Sequence, residues 1–222
     1  MSDLALTMMW LAILGAGLGA CVIARALGLA STYVRDLLHV GASVWLLGWA
    51  HWHGAAPAIA IVSSVAVAIA ILPLLADRVS IAARFVRSVT GDDERWGGLV
   101  LYTISYAALT SVAFATSPFA PACGLLALSL GDGVGGAFGR RFGRRHYRAP
   151  GGKRKSVEGS IVVALGACAG ALIAGALFDH AIAIPIALAL GAIAAAVEAL
   201  SPRGTDNLFV PAAVWLAARA LT

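Results

Sequence analysis

Read for its hydrophobic and polar positions, the chain is a succession of long apolar runs joined by short polar stretches. The first run, 4–23, has the length of a helix that crosses a bilayer. A second, 34–52, opens on a polar group that includes Arg35, Asp36 and His39. Further runs cover 56–76, 97–115, 119–130, 161–177, 181–199 and 208–221, which makes eight candidate spans. The fifth is short unless it extends through Gly131 towards Phe138, and the last is short as well, so a count of seven stands beside eight. The segment 77–96 reads as a helix lying in the membrane interface, with Arg84 and Arg87 on one face and Ile81 and Phe85 near another. The pattern predicts an all-α fold: a polytopic membrane helix bundle of about seven or eight transmembrane helices, with residues 1–222 forming a single integral membrane domain.

Composition supports that class and excludes others. Hydrophobic residues make up 60% of the chain and charged residues 12%, where a soluble domain holds about half and about a quarter. Such an apolar surplus could not be hidden inside a soluble globule of 222 residues. The net charge of +5 does not signify nucleic acid, because the basic residues sit in short loops between apolar spans. With eight spans and the N-terminus outside, fifteen of the sixteen Lys and Arg fall on the cytoplasmic side, and Arg219 is left over. A cleaved signal peptide carries positive charge before its apolar core. Here Asp3 precedes the first run while Arg25 and Arg35 follow it, so that run reads as a retained helix. The chain is expected to be a multi-pass integral membrane protein with its active face towards the cytoplasm. Cys21, Cys123 and Cys168 lie within apolar runs at no ligand spacing and read as small core residues. His51 and His53 flank Trp52 on the opposite side, and their i, i+2 spacing does not align them on one helical face; they read as interface residues.

The candidate chemistry gathers in residues 131–160, GDGVGGAFGRRFGRRHYRAPGGKRKSVEGS. This stretch holds eight of the sixteen basic residues: Arg140, Arg141, Arg144, Arg145, Arg148, Lys153, Arg154 and Lys155. Asp132 and Glu158 stand at its edges. It reads as a basic, glycine-rich cytoplasmic loop. Glycines let backbone N–H groups approach phosphate oxygens, and a helix N-terminus adds positive potential. The match of 131–136 to G-x-G-x-x-G is not a dinucleotide fingerprint, which needs a preceding strand and a βαβ unit where this chain has an apolar run.

Asp132 closes an apolar span, where an ionisable residue is costly and points to function. Holding Mg²⁺ or accepting a hydroxyl proton are the roles open to it; a helix-end acid paired with an arginine is the competing reading. The arginines from Arg140 to Arg148 compete with a topology-setting, lipid-binding role. Lys153 to Ser160 packs cations, a hydroxyl and an acid directly before a span, which is also the pattern of an ordinary cap by Ser156 with Glu158 complementing the helix dipole. Asp206 and Asn207 open the last run at the same face, as site residues or as a cap. His39 alone reads as structural.

Taken together these residues resemble the dolichol kinase/phytol kinase family of membrane-embedded polyprenol kinases. The resemblance rests on GDGVGGAFGRRFGR…GGKRKSVEGS and on the C-terminal SPRGTDNLFVP. RDLLHVG at 35–41 is similar to the family's R-K-x-x-H-x-x-G element, with Asp36 in place of the usual lysine. The stretch from Asp93 through Gly98 to Tyr102 is similar to its acidic-basic-Gly…Tyr segment. The resemblance implies a kinase acting on a long-chain isoprenoid alcohol, with CTP as phosphoryl donor and a divalent metal such as Mg²⁺ as cofactor. Its implied partners are membrane lipids, the alcohol and a nucleoside triphosphate. It implies catalytic roles for Asp132, Glu158 and Asp206, with Asp132 and Glu158 on the metal. It implies nucleotide contacts from Arg140, Arg141, Lys153, Lys155, Ser156 and Asn207. Asp132 or Asp206 would stand near the reacting hydroxyl.

The rival reading is a phosphatidate cytidylyltransferase. That related family has a comparable basic loop before a K-x-x-E-G element, but its C-terminal signature resembles G-G-x-x-D-R-x-D. This chain has Gly204-Thr205-Asp206-Asn207-Leu208, which favours the kinase. A transporter would carry polar residues at mid-span and broken helices, whereas the acids here cluster at one face.

Overall fold

A computed structural model describes residues 1–90, 96–152, 154–202 and 204–222. Ser2 caps α1 (Asp3–Ala26) by accepting from the Ala5 amide. Helix α2 (Ser31–Ala42) runs into a 3₁₀ segment, Ser43–His51, and α3 (Ala55–Leu75) returns. The short amphipathic α4 (Ser80–Thr90) precedes α5 (Trp96–Ala115). Helix α6 (Phe119–Leu126), a π-helical turn (Ala127–Asp132) and α7 (Gly133–Phe142) follow one another without a break. A small antiparallel hairpin, β1 (His146–Arg148) and β2 (Arg154–Ser156), leads into α8 (Val157–Leu177). Helices α9 (Ile184–Leu200) and α10 (Asp206–Leu221) complete the chain.

The all-α class holds, and the count of seven or eight spans is not confirmed. Among the described residues, five stretches are long and apolar enough to cross a membrane: Asp3–Ala26, Ala55–Leu75, Trp96–Ala115, Phe119–Phe142 and Val157–Leu177. The run expected at 34–52 is divided between α2 and the 3₁₀ segment, whose Gly48 lies under the Trp10 ring; a Cβ there would sit 2.6 Å from Trp10 Nε1. The last two expected runs form helices of 17 and 16 residues. In α4, Phe85 is buried as the amphipathic pattern requires, but Ile81 is exposed.

The fifth run takes the longer of the two forms open to it, since the helix continues to Phe142. Much of the expected glycine-rich loop is therefore helix, and its glycines have a packing reason. Gly131, Gly135 and Gly139 recur at every fourth position, the spacing of one helical face. That face meets α8 at backbone distance: a Cβ on Gly139 would lie 3.2 Å from Gly159 Cα, and one on Gly131 would lie 3.1 Å from the Val163 carbonyl. From the other side, a Cβ on Gly166 would lie 2.6 Å from the Leu130 carbonyl. Small residues at this spacing let apolar helices approach closely where lipid gives no hydrophobic drive between them.

Helix α5 ties this pair to the rest of the bundle. The Tyr102 hydroxyl donates to the His39 carbonyl on α2 at 2.8 Å, and the Tyr106 and Ser129 hydroxyls meet at 2.6 Å in the π-turn. Ser105 Oγ donates to the Asn207 carbonyl on α10 at 2.7 Å. All three side chains are buried, so each bond satisfies a group that would be costly to leave unpaired. Large apolar side chains such as Leu4, Met8, Leu74, Leu165 and Leu216 are exposed on the outside, as contact with lipid tails requires.

Candidate active site

Three helix ends converge on one cavity. Asp132 closes the π-turn, Glu198 sits in the last turn of α9, and Asp206 opens α10. Each offers a carboxylate oxygen, and these atoms lie within 4.8 Å of one another. Asp206 has a favourable place at a helix N-terminus, whereas Glu198 faces the negative end of its own helix dipole. The opposing charge comes from β2. Lys155 Nζ lies 2.5 Å from Glu198 Oε1 and 3.8 Å from Asp206 Oδ2, and it also donates to the Glu198 carbonyl.

Around this cluster opens a cavity of about 1060 Å³. Its polar wall includes Arg35, Asp36 and His39 from α2, Arg140 from α7, and His146 and Arg154 from the hairpin. Gly97, Gly98, Val100 and Leu101 of α5 and Val163 of α8 line it with backbone and apolar surface. Gly98 and Gly204 are needed there: Gly204 has a φ of +79°, and a Cβ on Gly98 would lie 3.2 Å from Asn207 Nδ2. His39 is buried behind Asp132, its Nδ1 4.0 Å from Asp132 Oδ2 and its ring stacked on Tyr102 at 4.2 Å. Asn207 Nδ2 donates to the Gly98 carbonyl at 2.9 Å, while Asn207 Oδ1 is buried without a hydrogen-bond partner.

Of the site residues expected from sequence, the cavity brings together Asp132, Arg140, Lys155, Ser156, Asp206 and Asn207. Ser156 serves also as the α8 cap, accepting from the Gly159 amide at 3.1 Å. Lys155, expected on phosphates, has its ammonium on carboxylates. Two expected residues are elsewhere. Glu158 accepts from the backbone amides of Arg144 at 3.1 Å and Arg145 at 3.1 and 3.2 Å, so its carboxylate holds the start of the hairpin against α8 and is not in the acid cluster. Arg141 is exposed, its guanidinium 5.8 Å from the Phe142 ring. Lys153, and the residues Asp93, Glu94 and Arg95 of the family-like segment, lie outside the described residues.

Sequence reasoning gives no site role to Glu198 or His146, and it names Arg35, Asp36, His39 and Arg154 without counting them among the site residues. A signal for Glu198 is visible: it is the single charged residue of the otherwise apolar run 181–199. His39 reads as structural until the fold sets it behind Asp132.

No protein-family model matches the chain. No solved structure matches it. Among curated proteins it is similar to the phytol kinase of Synechocystis sp., with 28% identity over 185 residues, covering 80% of this chain and 74% of that one. That match supports a relationship to the polyprenol/phytol kinase family.

Proposed function

We propose that this protein is a membrane-embedded kinase that transfers the terminal phosphoryl group of a nucleoside triphosphate, CTP in this reading, to the hydroxyl of a long-chain isoprenoid alcohol. The observation that carries the proposal is the cavity itself: three clustered carboxylates and three arginines share its lining, at the ends of apolar helices. Phosphoryl transfer asks for positioning and charge neutralisation more than for covalent chemistry.

The donor set fits a hard divalent cation. Asp132, Glu198 and Asp206 supply oxygen ligands, and the buried Asn207 Oδ1 is a further oxygen without a partner. With Lys155 beside them, the three acids carry a formal charge of −2. Bound there, Mg²⁺ would neutralise charge on the triphosphate. Arg35, Arg140, Arg154 and His146, in the same lining, would offer donors to phosphate oxygens. Among the three acids Asp132 has the most exposed side chain, at 15% against 10% and 4%. It is assigned the hydroxyl proton, with His39 holding it from behind. The alcohol oxygen forms a bond to the terminal phosphorus, the bond to the bridging oxygen breaks, the hydroxyl proton passes to Asp132, and the nucleoside diphosphate leaves. The alcohol tail lies along the apolar lining of Val100, Leu101 and Val163 and on into the lipid. The acceptor then stays in the membrane while its hydroxyl reaches the cytoplasmic face, where the triphosphate is found.

The test is a transfer assay on detergent-purified protein with Mg²⁺, CTP labelled at the γ-phosphate, and a panel of isoprenoid alcohols beside phosphatidic acid. The expected result is label in an organic-soluble alcohol phosphate. Label found in pyrophosphate, with phosphatidic acid required, would overturn the kinase and establish the cytidylyltransferase.

A further inference from the structure

The acid cluster contains its own cation. The Lys155 side chain is 5% exposed, and its ammonium reaches Glu198 through both the carboxylate and the main-chain carbonyl. It also approaches Asp206. The reach is built into the hairpin: Lys155 pairs with Tyr147 across the two strands, and the next residue, Ser156, is fixed as the α8 cap. Three carboxylates within 4.8 Å repel one another, and burial strengthens the repulsion. Glu198 adds the unfavourable end of a helix dipole. A buried charge is retained when it is paired, and here the pairing is supplied from outside the three helices.

We infer that Lys155 is the resident counter-cation of the metal cluster. Paired with Glu198 and Asp206, it offsets the repulsion within the cluster while no metal is bound, and it brings the formal charge of the three acids and the lysine to −2, so that the site accepts a single divalent cation. Asn207 lines the same cavity, and its buried Oδ1 has no hydrogen-bond partner, an independent sign of an acceptor left open for a ligand. This inference rests on the metal site proposed above. Lys155 shares Glu198 and Asp206 with the incoming cation, so the two positive charges compete for the same oxygens. Removing the ammonium therefore has opposite effects on the two states. The metal-free protein loses stability, and the metal binds more tightly.

The test uses Mn²⁺ as probe, with binding to the full detergent-solubilised chain read by electron paramagnetic resonance and stability read by thermal unfolding. The wild-type chain is expected to bind one Mn²⁺. Lys155→Met is expected to bind it at least about tenfold more tightly and to unfold at a lower temperature without metal, the deficit closing when Mn²⁺ is added. The double variant Lys155→Met/Glu198→Gln restores the charge of −2 and is expected to recover the metal-free unfolding temperature. Unchanged or weaker Mn²⁺ binding by Lys155→Met overturns the inference and leaves the metal site standing. Two Mn²⁺ per wild-type chain would overturn it as well. No Mn²⁺ binding by the wild-type chain removes the metal site and the inference with it. If Lys155→Met does not fold, the double variant decides: a folded double variant supports the counter-cation, and an unfolded one contradicts it.

Discussion

Arg140 is held on the cavity wall by two residues of α2. Asp36 forms an ion pair with it, and its guanidinium lies 5.3 Å from the centre of the Tyr33 ring. The pair joins α2 to the last turn of α7, where a cation is also favoured by the helix dipole. In the sequence, Asp36 is a mismatch, an acid where the resembled family has lysine. In the structure it has an evident partner, 104 positions along the chain. Under the proposed function, fixing Arg140 matters for binding a phosphate more than for the chemical step. Asp36→Asn is therefore expected to raise the KM for the nucleotide roughly tenfold, the worth of one charge-assisted hydrogen bond, with kcat little changed. A fall in kcat at constant KM would instead place Asp36 in the transition state. Glu158 teaches the reverse lesson. Its type and position suit a metal ligand, yet two backbone amides 13 and 14 residues earlier claim it. Competition of that kind is settled by where the hairpin folds, which no local pattern displays.

At the scale of elements, the decisive feature is the contact between the helix that runs from Phe119 to Phe142 and α8. The apolar half of that helix is legible in the sequence. Its continuation is not, because four of the ten residues of α7 are glycine, a poor helix former. What stabilises the glycine stretch is the fit against α8, a long-range contact. The π-turn is equally silent in the sequence, although it sets Ser129 against two tyrosines and brings Asp132 to the cavity. A side chain added in this seam has nowhere to go: a Cβ on Gly135 would lie 3.0 Å from the Gly159 carbonyl and from the Val163 amide. Gly135→Leu is expected to cost about 1–3 kcal/mol or more through overpacking. It should lower the thermal unfolding temperature and displace Asp132, whereas Val134→Leu, at an exposed neighbour, should leave both unchanged. Equal unfolding temperatures for the two variants would show that the seam is looser than described.

At the scale of the whole molecule, the arrangement separates two solvents. Helices such as α1 and α3 turn most of their surface outward and are largely apolar, while the clustered acids, the lysine and the arginines of the cavity collect at one end of the bundle. This division is what hydropathy and charge patterning reveal. They identified the membrane class and most of the residues at the polar end. They did not fix the number of spans, because a 3₁₀ segment and helices of 17 and 16 residues carry the same hydropathy as longer ones. The central claim is that phosphoryl transfer to a lipid alcohol takes place in this cavity. Asp132→Asn tests it most directly, since the change preserves size and removes the proton acceptor. The measurement is γ-label transfer from CTP to the alcohol by wild-type and variant protein purified side by side, with matched elution and unfolding temperature confirming the fold. The account expects the variant to lose transfer by about 10²–10⁴-fold, the usual contribution of a general base. Full transfer by a folded Asp132→Asn protein would contradict it.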